Sequence, residues 1–456
     1  MMTMGWIARL IAHDQVSSHI AWDQPVRKIV TDTRILQTGD FFVALKGQHV
    51  DGHDFVRQAF KQGAIGAMVN QGYSCFDKFV LPVADTYHEL GRMAQQWRKL
   101  HAIPVVGITG SNGKTTVKNM LASILSVQSS ADAVWATPGN FNNHVGLPLT
   151  LLGLTSFHQY AVIEMGMSHA GEIAYLAQLT HPTIAMVLNA RHAHMSGGFS
   201  SLRDIATAKA EIFENLDSSG IAIMPADDPY TTLFDHKAQG HTCYHFGLHQ
   251  GDVYADHIKL NGLSSTFSLV TPQGISSVTL RMPGAHNIYN ALAAATAAFV
   301  MQVPLLTITQ GLSLFLGTPG RLNSMQMASG LWIDDTYNAN PDSMKAAIDV
   351  LASNGCTPRI LVMGDMAELG EKAEQQHEDI GYYAKAKGID YLLTLGTLSQ
   401  SAAKAFGKNA LCFETIKALC QGLEVLINQQ STVLVKGSRA MKMERVVQYF
   451  SQRTIH

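Results

Sequence analysis

A chain of 456 residues exceeds the size at which one hydrophobic core usually stops growing, so two or three domains are expected. Apolar residues make up 46% and charged residues 15%, the balance of an ordinary folded protein, and a net charge of -2 supplies no broad basic field for phosphate backbones, which argues against nucleic acid as a partner. Five scattered cysteines, Cys75, Cys243, Cys356, Cys412 and Cys420, form no CxxC pair. The opening MMTMGWIARLIAHDQ is interrupted by Arg9 and His13, and no later run reaches about 18 apolar residues, so a cytoplasmic protein with no membrane insertion is expected.

Early in the chain the short runs KIVTDTR, DFFVAL, AIGAMV and FVLPVAD are separated by turn residues and predict a small α/β domain over residues 1–85. A polar helical stretch from Tyr87 to Leu100 leads into the buried-looking strand IPVVGIT, which opens on a glycine-rich loop. Further strands, YAVIEM and TIAMVLNA, alternate with helical segments, the pattern of a mostly parallel sheet whose ligands sit beyond the carboxyl ends of its strands. VYADHIKL, STFSLV and SSVTLRM then read as added antiparallel strands, followed by an Ala-rich helix from His286 to Met301. A second domain over 86–317 results. After Gly317-Thr318-Pro319-Gly320 the alternation restarts with LWIDDTY, RILVMGD, YLLTLG and TVLVKG, which predicts a Rossmann-like third domain over 318–456. It has no GxGxxG after its first strand, so a dinucleotide cofactor is not expected.

The strongest chemical signal is Gly107-Ile108-Thr109-Gly110-Ser111-Asn112-Gly113-Lys114-Thr115-Thr116, between a buried strand and a helix. Backbone N–H groups and the helix N-terminus cradle phosphates in such a loop, Lys114 neutralises terminal phosphate charge, and Thr115 can hold Mg²⁺. Glu164 ends the strand YAVIEM at the same sheet edge, where a carboxylate suits a metal; the alternative is a surface glutamate. His192 and His194 follow the next strand toward that edge, with a solvated loop as the alternative. Lys209 falls on the apolar stripe of a helix predicted over Ser201–Leu216, four residues from Ile205 and four from Phe213. Snorkelling or a buried ion pair are the general explanations for such a lysine.

Smaller polar groups are less specific. Asp32-Thr33-Arg34 could bind a phosphate or a uracil edge. Asn140, Asn142 and Asn143 exceed what a turn needs, and Asn287 and Asn290 share a helical face, although each pair could serve as a cap. Asp334-Asp335-Thr336-Tyr337-Asn338-Ala339-Asn340 and Lys436-Gly437-Ser438-Arg439 again place polar residues at strand ends.

From about residue 26 to the last helix, these segments together resemble the Mur ligase family: DTRILQTGDFFVALKGQHVDGHDF its UDP-binding domain, TGSNGKTT its ATP loop, EMGMSHAGEI and AHMSGGFSSLRDIATAKAEIF its metal-binding segments, and TPGR, DDTYNANPDSM and VLVKGSRAMKME its C-terminal domain. The resemblance implies an α/β fold of three domains: a UDP-binding domain, a P-loop ATPase-like central domain and a Rossmann-like C-terminal domain. It implies ATP and Mg²⁺ as cofactors and an amide ligation through an acyl phosphate. Gly110 to Thr116, Asn287, Arg321 and Asp335 would bind ATP, with Asn287 at the adenine. Lys114, Glu164, His194 and Lys209 would be catalytic. Thr115, Glu164, His194 and Lys209, the last as a carbamate, would hold the metal. Asp32, Thr33, Arg34, Asn142, Asn143, Asn338 and Asn340 would bind substrate.

Within the family, DDTYNANPDSM, GDMAELG and EMGMSHAGEI are similar to the branch that adds D-alanyl-D-alanine to a UDP-N-acetylmuramoyl-tripeptide, and the DNPR sequence of the diaminopimelate-adding branch is absent. A monomer is expected. A different Mur step, a folylpolyglutamate-type ligase and a nucleotide-gated regulatory ATPase are the rival readings.

Overall fold

The structure, a computed structural model, describes residues 1–12, 23–73, 79–191 and 198–452. His192, His194 and Cys75 lie outside the described residues. Three sheets organise the chain. The first joins β1 (Ile29–Val30), β2 (Phe41–Val43), β3 (Gly66–Asn70) and β4 (Val80–Val83) in sequential order, every pair parallel. β2 is buried throughout, with Phe41 and Val43 in one core and Phe42 in another, as the period of 2 demands.

The second sheet contains β5 (Val105–Thr109), β6 (Val134–Ala136), β7 (Tyr160–Glu164), β8 (Ile184–Val187), β9 (Ile221–Pro225), β10 (Thr242–Gly247), β11 (Val253–Asn261), β12 (Ser264–Thr271) and β13 (Gly274–Leu280). Its order is β13-β12-β11-β10-β9-β8-β5-β7-β6. From β6 to β10 the pairs are parallel, and β11 to β13 form the antiparallel addition. β5 is buried at every residue because helices cover both faces, which is why it reads as a continuous apolar run. One of its two cores also takes in Phe41, Val43 and Met68 of the first sheet and Leu90, Met93 and Trp97 of helix Thr86–Lys99.

The third sheet runs β14-β15-β19-β16-β17-β18, with β14 (Asn323–Met327) antiparallel to β15 (Gly330–Asp335) and the rest parallel: β16 (Arg359–Gly364), β17 (Tyr391–Leu395), β18 (Ala410–Phe413) and β19 (Thr432–Lys436). Apolar clusters on its two faces hold it between helices. The helix expected over Ser201–Leu216 is shorter, Leu202–Ala210, and tightens into a 3₁₀ turn at Glu211–Phe213. There the Glu211 carboxylate accepts hydrogen bonds from the N–H groups of Gly171 and Ala174, at the start of helix Glu172–Thr180. Among the described residues no helix is long and apolar enough to cross a membrane.

Candidate active site

In the second sheet β5 lies between β7 and β8, with Ile108 beside Glu164 and Thr109 beside Val187. The carboxyl ends of these strands therefore converge where the phosphate loop begins. Gly113 turns the chain into helix Lys114–Gln128 with φ +88°, a left-handed conformation natural to glycine, and a Cβ there would collide with Asn290 Oδ1. The loop is braced from outside. Asn112 N–H donates to Asn189 Oδ1 at 3.0 Å and Asn189 Nδ2 returns a bond to Asn112 O at 3.1 Å. Ser111 Oγ accepts from Arg191 N at 2.9 Å.

Glu164 is 2% exposed and fully engaged. Thr115 Oγ1 donates to its Oε2 at 2.9 Å, and Asn142 Nδ2 donates to its Oε1 at 2.7 Å. Its own N–H donates to Thr137 Oγ1 at 2.8 Å, and Lys118, also buried, donates to Thr137 O at 2.6 Å. Lys114 Nζ donates to Gly110 O at 2.6 Å, and protein packed around this ammonium pushes its pKa down, an effect opposed by Glu164 and reinforced by Arg321. Glu164 and Thr115 are hard oxygen donors of the kind magnesium accepts alongside phosphate oxygens.

The third sheet completes the site. Arg321 Nη2 donates to Thr115 Oγ1 at 3.0 Å while its guanidinium lies 4.1 Å from the Tyr337 ring centroid. Its Nε is buried with no hydrogen-bond partner among the described residues, a donor available to a ligand. Asn340 caps helix Pro341–Ser353 through Oδ1 and donates from Nδ2 to Asn112 Oδ1 at 2.8 Å, joining this helix to the phosphate loop. Asp335 pairs with Lys436 at 2.6 Å and accepts Leu322 N–H at 3.1 Å; burial raises its pKa while Lys436 opposes the rise. Lys436 also donates to Asn338 O at 2.8 Å.

A cavity of about 1030 Å³ gathers Ser111 to Thr116, Asn142, Asn143, Glu164, Asn287, Arg321, Asp335, Asn338 and Asn340 from segments far apart in sequence. Gly110 is not among the lining residues, but its carbonyl accepts from Lys114 Nζ, which is. Asn143 Oδ1 accepts the N–H groups of Val145 and Gly146 just ahead of and at the start of helix Gly146–Leu152. Asn287 anchors its own helix by donating to Pro283 O at 2.8 Å, and it accepts from Asn290 Nδ2 at 3.2 Å. Lys209 is 2% exposed, and burial, then repulsion from Lys114, pushes its pKa well below the ordinary lysine value.

Asp32, Thr33 and Arg34 are not among the residues lining this cavity. Thr33 is buried, and exposed Arg34 forms a bidentate pair with Asp32 at 2.6 to 3.0 Å. Sequence reasoning assigned no role to Asn189, Tyr337 or Lys118. It placed Lys436 only at a strand end, although an apolar strand closing on a charged residue is the same signal that singled out Glu164.

Family models match three stretches: the Mur ligase family catalytic domain at residues 25–74, the Mur ligase middle domain at 108–298 and the Mur ligase glutamate ligase domain at 320–439. The UDP-N-acetylmuramoyl-tripeptide–D-alanyl-D-alanine ligase of Escherichia coli strain K12 is 43% identical over 424 residues, covering 92% of each chain. This chain belongs to the Mur ligase family. It is therefore an ATP-dependent ligase that forms amide bonds. Its relative of the same name in Haemophilus influenzae is 39% identical, covering 92% of this chain and 93% of that one. Among solved structures, MurF from Acinetobacter baumannii superposes with a TM-score of 0.91 at 36% identity, covering 99% and 98% of the two chains. MurF from Thermotoga maritima in complex with ADP gives a TM-score of 0.82 at 26% identity, covering 94% and 98%. The expected three-part α/β architecture is thus that of the family.

Proposed function

We propose that this chain joins D-alanyl-D-alanine to UDP-N-acetylmuramoyl-tripeptide at the expense of ATP, in peptidoglycan precursor synthesis. The observation that carries the reading is the single cavity in which the phosphate loop and Glu164 meet Arg321 and Asn340 of the third sheet's segments. Such an arrangement suits a reaction whose acyl-phosphate intermediate must be shielded from water.

In this reading Lys114 and the loop N–H groups bind the ATP phosphates, Arg321 and Asp335 hold the nucleotide from the third sheet, and Asn287 meets the adenine. The terminal carboxylate of the tripeptide takes the γ-phosphoryl group, and ADP leaves. The amine of D-alanyl-D-alanine then attacks the acyl phosphate, forming the amide and releasing phosphate and a proton. Thr115 and Glu164 would hold Mg²⁺, with His194, and when bound the ion neutralises charge on the phosphates. Lys209 serves as a carbamate, formed when the neutral amine adds CO₂ and loses a proton. Its burial and lowered pKa support this role.

Asp32, Thr33 and Arg34 are assigned to the UDP end, and Asn142, Asn143, Asn338 and Asn340 to the peptide substrates. The corresponding units are residues 1–85, 86–317 and 318–456, acting in a cytoplasmic monomer. Phosphate release measured with ATP, the UDP-linked tripeptide and D-alanyl-D-alanine, omitting each in turn, tests the reading. Release should require all three. Undiminished release without both peptide substrates indicates a regulatory ATPase, and release supported by a folate or a different muramoyl peptide indicates another ligase.

A further inference from the structure

We propose that the Asp342 carboxylate, in the first turn of helix Pro341–Ser353, receives the ammonium group of D-alanyl-D-alanine and so seats the nucleophile beside the phosphate loop. This rests on the reading of the substrate given above. Asn340 Oδ1 accepts the Ser343 N–H at 2.9 Å and the Asn340 N–H donates to Ser343 Oγ at 3.0 Å, so a reciprocal pair of bonds closes the turn that carries Asp342. Asn340 Nδ2 also donates to Asn112 Oδ1 at 2.8 Å, which ties this turn to the phosphate loop. Asp342 follows two residues after Asn340, about 3 Å along the helix axis.

The other carboxylates that line the cavity are engaged. Glu164 accepts from Thr115 and Asn142, and Glu172 accepts the N–H groups of Ser168 and His169. Asp227 accepts the Leu248 N–H at 3.1 Å, Asp335 pairs with Lys436, and Glu368 has a partner as well. Asp342 differs. It lines the same cavity, and its Oδ2 is enclosed by protein with no hydrogen-bond partner among the described residues.

The first turn of a helix attracts negative charge, which accounts for an acid at this position but not for an oxygen left without a donor. An enclosed carboxylate oxygen in that state carries a desolvation cost, and a charged N–H donor from a ligand offsets it. ATP and the UDP group bring phosphate anions, which a carboxylate repels. D-alanyl-D-alanine brings an ammonium, and its nitrogen is the atom that must arrive where the phosphoryl group has been transferred. The enclosed donor of the same wall, Arg321 Nε, belongs to the guanidinium that touches Thr115 and so serves the nucleotide.

Steady-state kinetics on the full chain carrying Asp342→Asn, which keeps the shape and removes the charge, test the assignment. The KM for D-alanyl-D-alanine should rise about tenfold or more, the loss expected of one hydrogen bond between charged groups, with the KM values for ATP and the UDP-linked tripeptide within about twofold of the parent. N-propanoyl-D-alanine, the dipeptide without its amino group, serves as a competitor. Its inhibition constant should differ by less than about twofold between the two proteins, because it has no ammonium to offer Asp342. A constant that rises in step with the dipeptide KM marks a structural role for Asp342 and overturns the proposal. An unchanged dipeptide KM overturns it too, as does a rise shared with or confined to ATP or the tripeptide. A parent enzyme that does not use D-alanyl-D-alanine at all overturns the substrate reading itself, and this subsite with it.

Discussion

Thr115 and Glu164 are 49 positions apart, yet the threonine hydroxyl donates to the glutamate carboxylate at 2.9 Å, and Arg321 reaches the same hydroxyl from the third sheet's segment. One oxygen thus reports on the phosphate loop, the β7 strand end and the C-terminal portion together. Glu164→Gln keeps the shape and removes the charge. Ligation should fall by about a hundredfold or more, comparable with losing one electrostatic stabiliser of a transferring group. Unfolding midpoints and ligation rates measured on the same preparation check this, and a variant within about threefold of the parent rate would remove Glu164 from the chemistry.

Lys114→Ala should abolish nucleotide binding without unfolding the chain. The loop geometry is held by Asn189, Arg191 and Asn340, none of which depends on the lysine ammonium. Calorimetric titration with ADP, alongside circular dichroism, separates loss of binding from loss of fold. Native affinity in the alanine variant contradicts the assignment.

Lys209→Ala should lose most activity, and acetate or formate should restore part of it by supplying a carboxylate where the side chain was cut away. Truncating a fully buried side chain also leaves a cavity, so stability should fall by about 2 kcal/mol or more. Rescue of turnover without recovery of the melting temperature is the expected pattern. If small carboxylates fail while the variant remains folded, the carbamate role is unsupported.

His286 offers a pH signature. Enclosure in the protein, then the nearby Lys436 ammonium, pushes its pKa down to about 4. An unfolded chain binds the proton near pH 6.5 while the folded chain refuses it until about pH 4, so stability is fully present above pH 6.5 and is lost as pH falls through that window. His286→Gln should remove on the order of 2 kcal/mol of that dependence, less than the full linkage value because the residue as a whole keeps some contact with solvent. Urea unfolding at pH 7, 5.5 and 4.5 measures it, and parallel curves for the two proteins would contradict the shift.

Much of this site is readable from residue order because its parts are local. The phosphate loop is a contiguous strand–loop–helix unit, so TGSNGKTT specifies the backbone, the cation and the hydroxyl at once. Glu164 was visible for a related reason: a parallel sheet buried on both faces makes its strands apolar runs, and the residue that ends such a run emerges at the ligand edge. Burial of Lys209 followed from helical periodicity alone, since Ile205 and Phe213 lie one turn to either side and are buried with it.

What tertiary structure decided are the pairings across long sequence separation. Asn340 appeared as a polar residue before a helix, and in the fold it both caps that helix and reaches Asn112, 228 positions away. Lys436 became part of the site only because β19 lies beside β15, which puts Asp335 opposite it. The Asp32-Arg34 pair carried the right chemistry for a phosphate, and only the fold located it on an exposed turn away from the cavity. Periodicity encodes which face of an element is buried, whereas the partner on that face depends on strand order and register, and those are set by the packing of the whole chain.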